Sequence, residues 1–400
     1  MRIDPQQRFA CSQCGRCCRG FDVVVTAAEL DLYGRLRVAE WFKESDGARD
    51  PFEPVPGAPA LQRIRKRDDG ACVFLSAGNR CRIHEELGPA NKPLTCRMFP
   101  YSFHAAADGV VLKASFNCPT IAANEGRLIS ESRVELEALK KEWAANGTPR
   151  PAALELVEGR TMDTRSLYLL RTNLIALLQR DPHDVRAGVR RIAAVLDDLT
   201  RSRVLALSDQ DFAEYLSLTV PHAATKPDPP PAKPPGAIAR MMQYGFLYAV
   251  AAVRSGIANP NQSRMTLRMR RLQLLAHFHG LAPSLEGINV KALKEHRADI
   301  NAPEIRAIVF HYLRSTLETL GATGRPIVDE IALGISYLNA AVALATIKAH
   351  EAGRPPDRAI FIEALTDASD VSHARNGVLD WILTRFGGSP EALWHLARPL

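Results

Sequence analysis

Beyond Cys118 the 400-residue chain has no cysteine at all. All 8 lie ahead of that point, at Cys11, Cys14, Cys17, Cys18, Cys72, Cys81, Cys96 and Cys118. Buried structural thiols would be scattered along a chain of this length, so the clustering itself points to chemistry. The opening residues, MRIDPQQRFA, lack the apolar core of a secretory leader. The longest apolar stretch, 331–347, is interrupted by Ser336 and Asn339 and is short for a bilayer. Neither a glycine-rich nucleotide fingerprint after a strand nor a C-x3-C-x2-C run is present, and no fixed-period repeat recurs. A soluble, reducing, cytoplasmic setting with no membrane contact is the expectation, and there dense cysteine favours metal over disulfides.

Charge is just as restrained. Lys plus Arg number 51 against 44 Asp plus Glu, a formal net charge of +7. That permits an acidic partner without announcing nucleic-acid binding, which needs basic residues gathered on one face. The basic run Arg63, Arg65, Lys66, Arg67 is followed at once by Asp68 and Asp69. Arg264, Arg268, Arg270 and Arg271 form a second group, and charge runs of this kind are usually solvated faces. His277 and His279 stand at i and i+2, on different sides of a helix, which is poor geometry for a shared metal.

The fold class expected is a small α+β cysteine-rich metal-binding domain followed by a larger all-α region. The reading divides the chain into a cysteine domain at 1–125, a helical region at 126–220, a proline-rich linker or loop at 221–236 and an all-α domain at 237–400. Within the first part, Val23, Val24 and Val25 read as a short buried strand. Thr26 and Glu29 have capping-box spacing, so a helix should start at Ala27 and carry Leu30, Leu32, Leu36 and Val38. Residues 50–60 hold four prolines and read as a loop. Residues 61–67 and 72–75 read as extended pieces joined at Asp68-Asp69-Gly70, and 110–115 as another strand. Further on, Leu167, Leu170, Leu174, Leu177 and Leu178 form one helical stripe, and Val185, Val189, Ile192, Val195 and Leu196 the next. A final helix should open at Ser389-Pro390-Glu391.

The cysteines carry the chemistry. Cys11, Cys14 and Cys17 are spaced i, i+3, i+6, matching the first three ligands of a bacterial ferredoxin run, and Cys118-Pro119 matches how that run ends. Gly15 and Gly20 offer the backbone freedom such wrapping requires. Cys17 and Cys18 are adjacent, and neighbouring side chains diverge by roughly 100° in a helix. That argues for two nearby sites or one multinuclear cluster. Eight cysteines also equal two four-thiolate zinc centres. An iron–sulfur cluster is the first choice of cofactor and zinc the alternative. His84 and His104 could each replace a thiolate, although histidines so placed more often support ligands or face solvent. Arg97, next to Cys96, could offset thiolate charge.

The set C-x2-C-G-x-C-C, then Cys72-Val-Phe-Leu, Cys81-Arg-Ile-His and Pro93-Leu-Thr-Cys96-Arg-Met-Phe-Pro, resembles the YkgJ-type cysteine-cluster family over roughly residues 8–120. The resemblance implies a zinc- or iron-chelating domain. Lys92 stands where such proteins tend to carry arginine. Residues 168–199 are similar in texture to the helices that follow a related cluster in flagellin lysine-N-methylases. That likeness implies a protein-modifying enzyme, as against a structural zinc module presenting helices. On each of these readings the helical region meets a protein partner or protein substrate.

Overall fold

The computed structural model describes residues 1–42, 50–147, 150–151, 153–223, 284–285, 288–289 and 298–370. Residues 224–236 of the proline-rich stretch, the Arg264–Arg271 group, His277, His279 and the helix expected at Ser389 lie outside them. The chain forms two compact units built from interleaved segments. One comprises Arg8–Phe103 and Glu125–Thr148; the other comprises Met1–Gln7, His104–Asn124 and Pro149–Leu400. The 1–125 segment therefore divides between them, and seven of the 8 cysteines fall in the first.

In the cysteine unit, β1 (Arg8–Phe9) pairs antiparallel with β7 (Arg127–Leu128). Gly126, at φ +101°, lies so close to this strand that a Cβ would stand 2.5 Å from the Ala10 amide nitrogen. The chain is thus pinned one residue ahead of Cys11. The helix α1 (Arg16–Gly20) follows, then β2 (Val24–Val25) and α2 (Ala27–Arg35). Val23 and Val25 are buried while Val24 is exposed, so this strand alternates rather than being buried throughout. The capping box forms as the sequence dictates, with Glu29 N–H donating to Thr26 Oγ1 and Thr26 N–H to the Glu29 carboxylate. The helix stops at Arg35, earlier than its leucines imply; Tyr33 is its buried residue, and Leu36 is left exposed.

The proline-rich 50–60 segment is not a loop. It carries β3 (Phe52–Val55) and the start of β4 (Ala58–Ile64), in a sheet ordered β2-β4-β3. Pro54 is tolerated because β3 is an edge strand, where a missing N–H costs no ladder bond. The register shifts beside it, at Pro54/Val55. The turn at Asp69-Gly70 forms, but the extended pieces around it pair through only a Lys66–Cys72 bridge. Phe74 anchors the core, with the Phe42 ring 5.3 Å away and the Phe52 and Trp41 rings at 6.2 Å. The remaining helices are α3 (Arg82–Leu87), α4 (Leu94–Met98) and α6 (Arg133–Ala145).

The second unit is mainly helical but not all-α. It holds the hairpin of β5 (Tyr101–Ala106, its last residues) and β6 (Gly109–Ala114), and another of β8 (Glu155–Val157) and β9 (Arg160–Thr161). Arg2 joins β6 as a parallel bridge to Val111. The short α5 (Pro119–Ala123) precedes α7 (Thr164–Gln179), α8 (Val185–Leu199), α9 (Ser202–Leu205) and α10 (Asp209–Ala223). Both apolar stripes read from the sequence are buried along their whole length on α7 and α8. Asp163 and Asp184 cap these two helices through Ser166 N–H and Ala187 N–H. The helix α10 runs past Val220 to Ala223 with Pro221 inside it, so the linker begins later than expected.

Three more helices complete this unit: α11 (Pro303–Glu318), α12 (Ile327–Glu351) and α13 (Arg358–Asp370). By length and composition α12 could cross a membrane, yet 72% of its most apolar window is buried inside the unit. Such burial is that of a core helix.

Candidate metal centre

Four separate stretches of the cysteine unit bring thiols together. Cys17 and Cys18 lie on α1, Cys72 follows the Asp69-Gly70 turn, Cys81 is the N-cap of α3 and Cys96 sits in α4. Cys72 is buried and the other four are half-buried. Their mutual influence shows in their acidities. Burial pushes the Cys96 thiol up to about 12, with Cys72, Cys81 and Cys17 adding to the rise against the pull of Lys92. Contact with Cys18, then burial, raises Cys17, and burial raises Cys72 with Cys81 contributing. Burial and neighbouring sulfurs thus disfavour the anionic forms of Cys17, Cys72 and Cys96, an effect that a bound cation would offset.

The backbone explains the gathering. Gly15, the N-cap of α1, sits at φ +71°. A Cβ there would come 2.7 Å from the Arg19 guanidinium and 2.8 Å from Asn79 Oδ1, side-chain ends that could shift, so it is the left-handed backbone that calls for the glycine of the C-G-x-C-C run. Arg19 donates to Asn79 Oδ1 at 3.1 Å, tying α1 to the turn that leads to Cys81. The Cys18 carbonyl accepts from Cys72 N–H at 2.7 Å and from Lys66 Nζ at 2.9 Å. Gly20, by contrast, has no positive φ and open space around its Cα.

Glu29 is a residue that sequence reasoning saw only in part. Besides closing the capping box it accepts from Leu94 N–H at 2.7 Å, satisfying an orphan donor at the first turn of α4. One carboxylate thus orients both α2 and the helix that bears Cys96. Replacing Glu29 with alanine should cost about 1–2 kcal/mol of stability, the loss of a cap plus a second charge-assisted bond. Thr26→Ala should cost about 1 kcal/mol; urea denaturation of the two variants measures the difference.

Tyr33 stands beside Cys81 and Cys96. Its hydroxyl donates to the Asn91 carbonyl at 2.8 Å, and burial, Glu29 and the two cysteines push it above its usual range. It is a neutral wall to the thiol group. Arg97 does not offset thiolate charge as its position implied: it forms a forked pair with Glu142 of α6 and donates to the Lys92 carbonyl. That pair raises Arg97 and lowers Glu142.

The basic run is likewise consumed within the unit. Arg63 pairs with Glu53 and Asp22, Arg65 donates to the Asp50 carbonyl, Lys66 holds Cys18 and Arg67 pairs with Asp69.

Three further candidate thiols lie outside these four stretches. Cys11 and Cys14 are exposed on the segment leading into α1. Cys118 belongs to the helical unit, buried at the N-cap of α5 with Pro119 at the helix's first position. This is the placement expected of a proline that starts a helix. His84 is exposed on α3, and His104 falls in the helical unit. The adjacent pair also departs from expectation: Cys17 Sγ and Cys18 Sγ lie 3.9 Å apart instead of diverging. Two thiolates on one tetrahedral zinc, at Zn–S near 2.3 Å, would be about 3.8 Å apart.

Among the described residues, no three His, Cys, Asp or Glu side chains close to the spacing a common metal ion requires. The sulfurs themselves are soft donors of the kind a thiophilic metal takes, one buried and four half-buried.

Comparison with known proteins agrees with this chemistry. Residues 10–119 match the CxxCxxCC family, described as a "putative zinc- or iron-chelating domain". An uncharacterized protein of Methanocaldococcus jannaschii, MJ0939, is 32% identical over 106 residues, or 26% of this chain and 33% of that protein. The chain therefore spans about a third of the length of this curated relative. No solved structure matches. The family match ends well before residues 168–199, on which the likeness to flagellin methylases rests.

Proposed function

We propose that the CxxCxxCC segment holds an iron–sulfur centre on its cysteine thiolates, in a reducing cytoplasmic setting, and that the helical unit meets a protein partner or substrate. The observation that carries this reading is that five thiols from four separate stretches lie within electrostatic reach around one core, with Cys11 and Cys14 on the adjoining exposed segment. Seven thiols in one unit exceed what a single four-thiolate ion needs, and the Cys11, Cys14, Cys17 spacing is that of a ferredoxin run. Once bound, such a centre supplies one-electron redox chemistry or a rigid cross-link. The chain's own part is to gather the sulfurs, restrict water through Tyr33 and the Phe74 core, and release thiol protons as the metal enters.

Zinc is the second reading, and the 3.9 Å separation of Cys17 and Cys18 favours it, since one ion could span that pair. Anaerobic purification of the full chain, followed by iron, zinc and acid-labile sulfide analysis, separates the two. Iron and sulfide in equal amounts, with absorbance near ~400 nm that dithionite bleaches, are expected. Colourless protein carrying zinc without sulfide would replace the cluster by a structural zinc site.

A further inference from the structure

A second site lies in the helical unit, formed entirely by residues of that unit. Gln6, Asn124 at the end of α5, His183 ahead of α8, and Arg306, His311 and Arg314 of α11 line a cavity of about 300 Å³. At roughly 30 Å³ per water it holds a ligand of about ten non-hydrogen atoms. None of its lining residues is acidic.

Its two guanidinium groups are in different states. Arg314 is spoken for: it pairs with Asp4 at 2.6 Å, and both side chains are almost fully buried. Arg306 is half-exposed, and among the described residues no ion pair or side-chain hydrogen bond engages it. The cavity thus carries one uncompensated positive charge on a planar, forked donor suited to bidentate recognition.

His311 supplies the second, independent observation. It is 4% exposed, and neither ring nitrogen makes a hydrogen bond of good geometry, the Ile121 backbone offering only a poorly aligned contact. Buried polar groups are nearly always paired, and one left unpaired costs about 1–3 kcal/mol. Burial pushes this imidazole down to about 4 despite the pull of Asp4 and of the Ile121 backbone, so at neutral pH the ring is neutral and offers one N–H donor. Phe310 adds an apolar wall beside these polar groups.

We propose that this cavity binds a small organic monocarboxylate, its carboxylate forked on Arg306 and hydrogen-bonded to His311, its apolar part against Phe310. A monoanion balances the single free charge, and the apolar wall gives the rest of the molecule a place that inorganic phosphate could not use.

The test titrates the full-length protein with acetate, benzoate and inorganic phosphate by calorimetry, at fixed ionic strength set with chloride. The His311 ring resonances are followed by NMR in the same titrations. Saturable binding of benzoate, tighter than acetate, with shifted His311 resonances and an affinity at least about tenfold weaker in Arg306→Gln, is the expected result. Arg306 is half-exposed, so its replacement should leave the unfolding midpoint unchanged. Absence of saturable carboxylate binding, binding unaltered by Arg306→Gln, or a preference for phosphate would each overturn the assignment. None of these readouts depends on whether the cysteine unit carries metal.

Discussion

Cys96→Ser is expected to strip most of the bound metal from the protein and, with it, most of the stability of the cysteine unit. The thiol sits where Cys72, Cys81 and Cys17 all influence it, so its loss removes a central ligand rather than a peripheral one. Metal binding to a site absent from the unfolded chain is folding free energy, of order 10 kcal/mol for structural zinc at neutral pH. The effect should therefore be far larger than that of losing one half-buried sulfur in a metal-free unit. Metal analysis alongside limited proteolysis of wild type and variant measures it. Because the gathered thiols must shed protons to bind, retention should weaken as pH falls and strengthen as it rises.

The second large effect concerns the helical unit. Asp4→Ala should destabilise it by about 3–5 kcal/mol, because it leaves the Arg314 guanidinium buried without its counter-charge. The pair lies at 2.6 Å with side chains 2% and 4% exposed, and Asp4 comes from the amino-terminal segment that also adds Arg2 alongside Val111. Arg2 strengthens the same junction, donating to the Glu318 and Leu320 carbonyls at 2.6 and 2.9 Å. Replacing both partners, as Asp4→Asn with Arg314→Met, should cost much less than Asp4→Ala, since neither charge is then stranded. A double-mutant cycle in urea, read by the helical signal, gives both numbers.

What the sequence made legible follows the range of the interactions involved. Thr26 and Glu29 announced their helix because a capping box is complete within four residues. The Leu167 and Val185 stripes announced theirs because one periodicity sets both helix and buried face. Gly15 was readable because the C-G-x-C-C run needs a left-handed residue between closely spaced sulfurs. By contrast, Glu29 reaching Leu94 joins residues that only the fold brings together. The strand at Phe52–Val55 and the first residues of Ala58–Ile64 were hidden because proline is a turn signal in isolation, while an edge position and a register shift make Pro54 tolerable in a sheet; residues 61–64 were already legible as extended. The partition of the chain was hidden for a related reason. Met1–Gln7 and His104–Asn124 join the helical unit, and a reading that moves along the chain assigns neighbours to the same domain.

The cysteine pattern shows both sides. Its spacing pointed to a zinc- or iron-chelating domain, which the family match over residues 10–119 supports, and the proline of Cys118-Pro119 opens a short helix. The adjacent pair was expected to diverge, and one short helical turn brings the sulfurs to 3.9 Å.

Differential alkylation of the anaerobically purified protein, with each cysteine quantified by mass spectrometry before and after chelation, addresses the thiol assignment directly. Cys17, Cys18, Cys72, Cys81 and Cys96 should be protected while metal is bound and become reactive together when it is withdrawn. Labelling of those five that is indifferent to the chelator would contradict a shared thiolate centre.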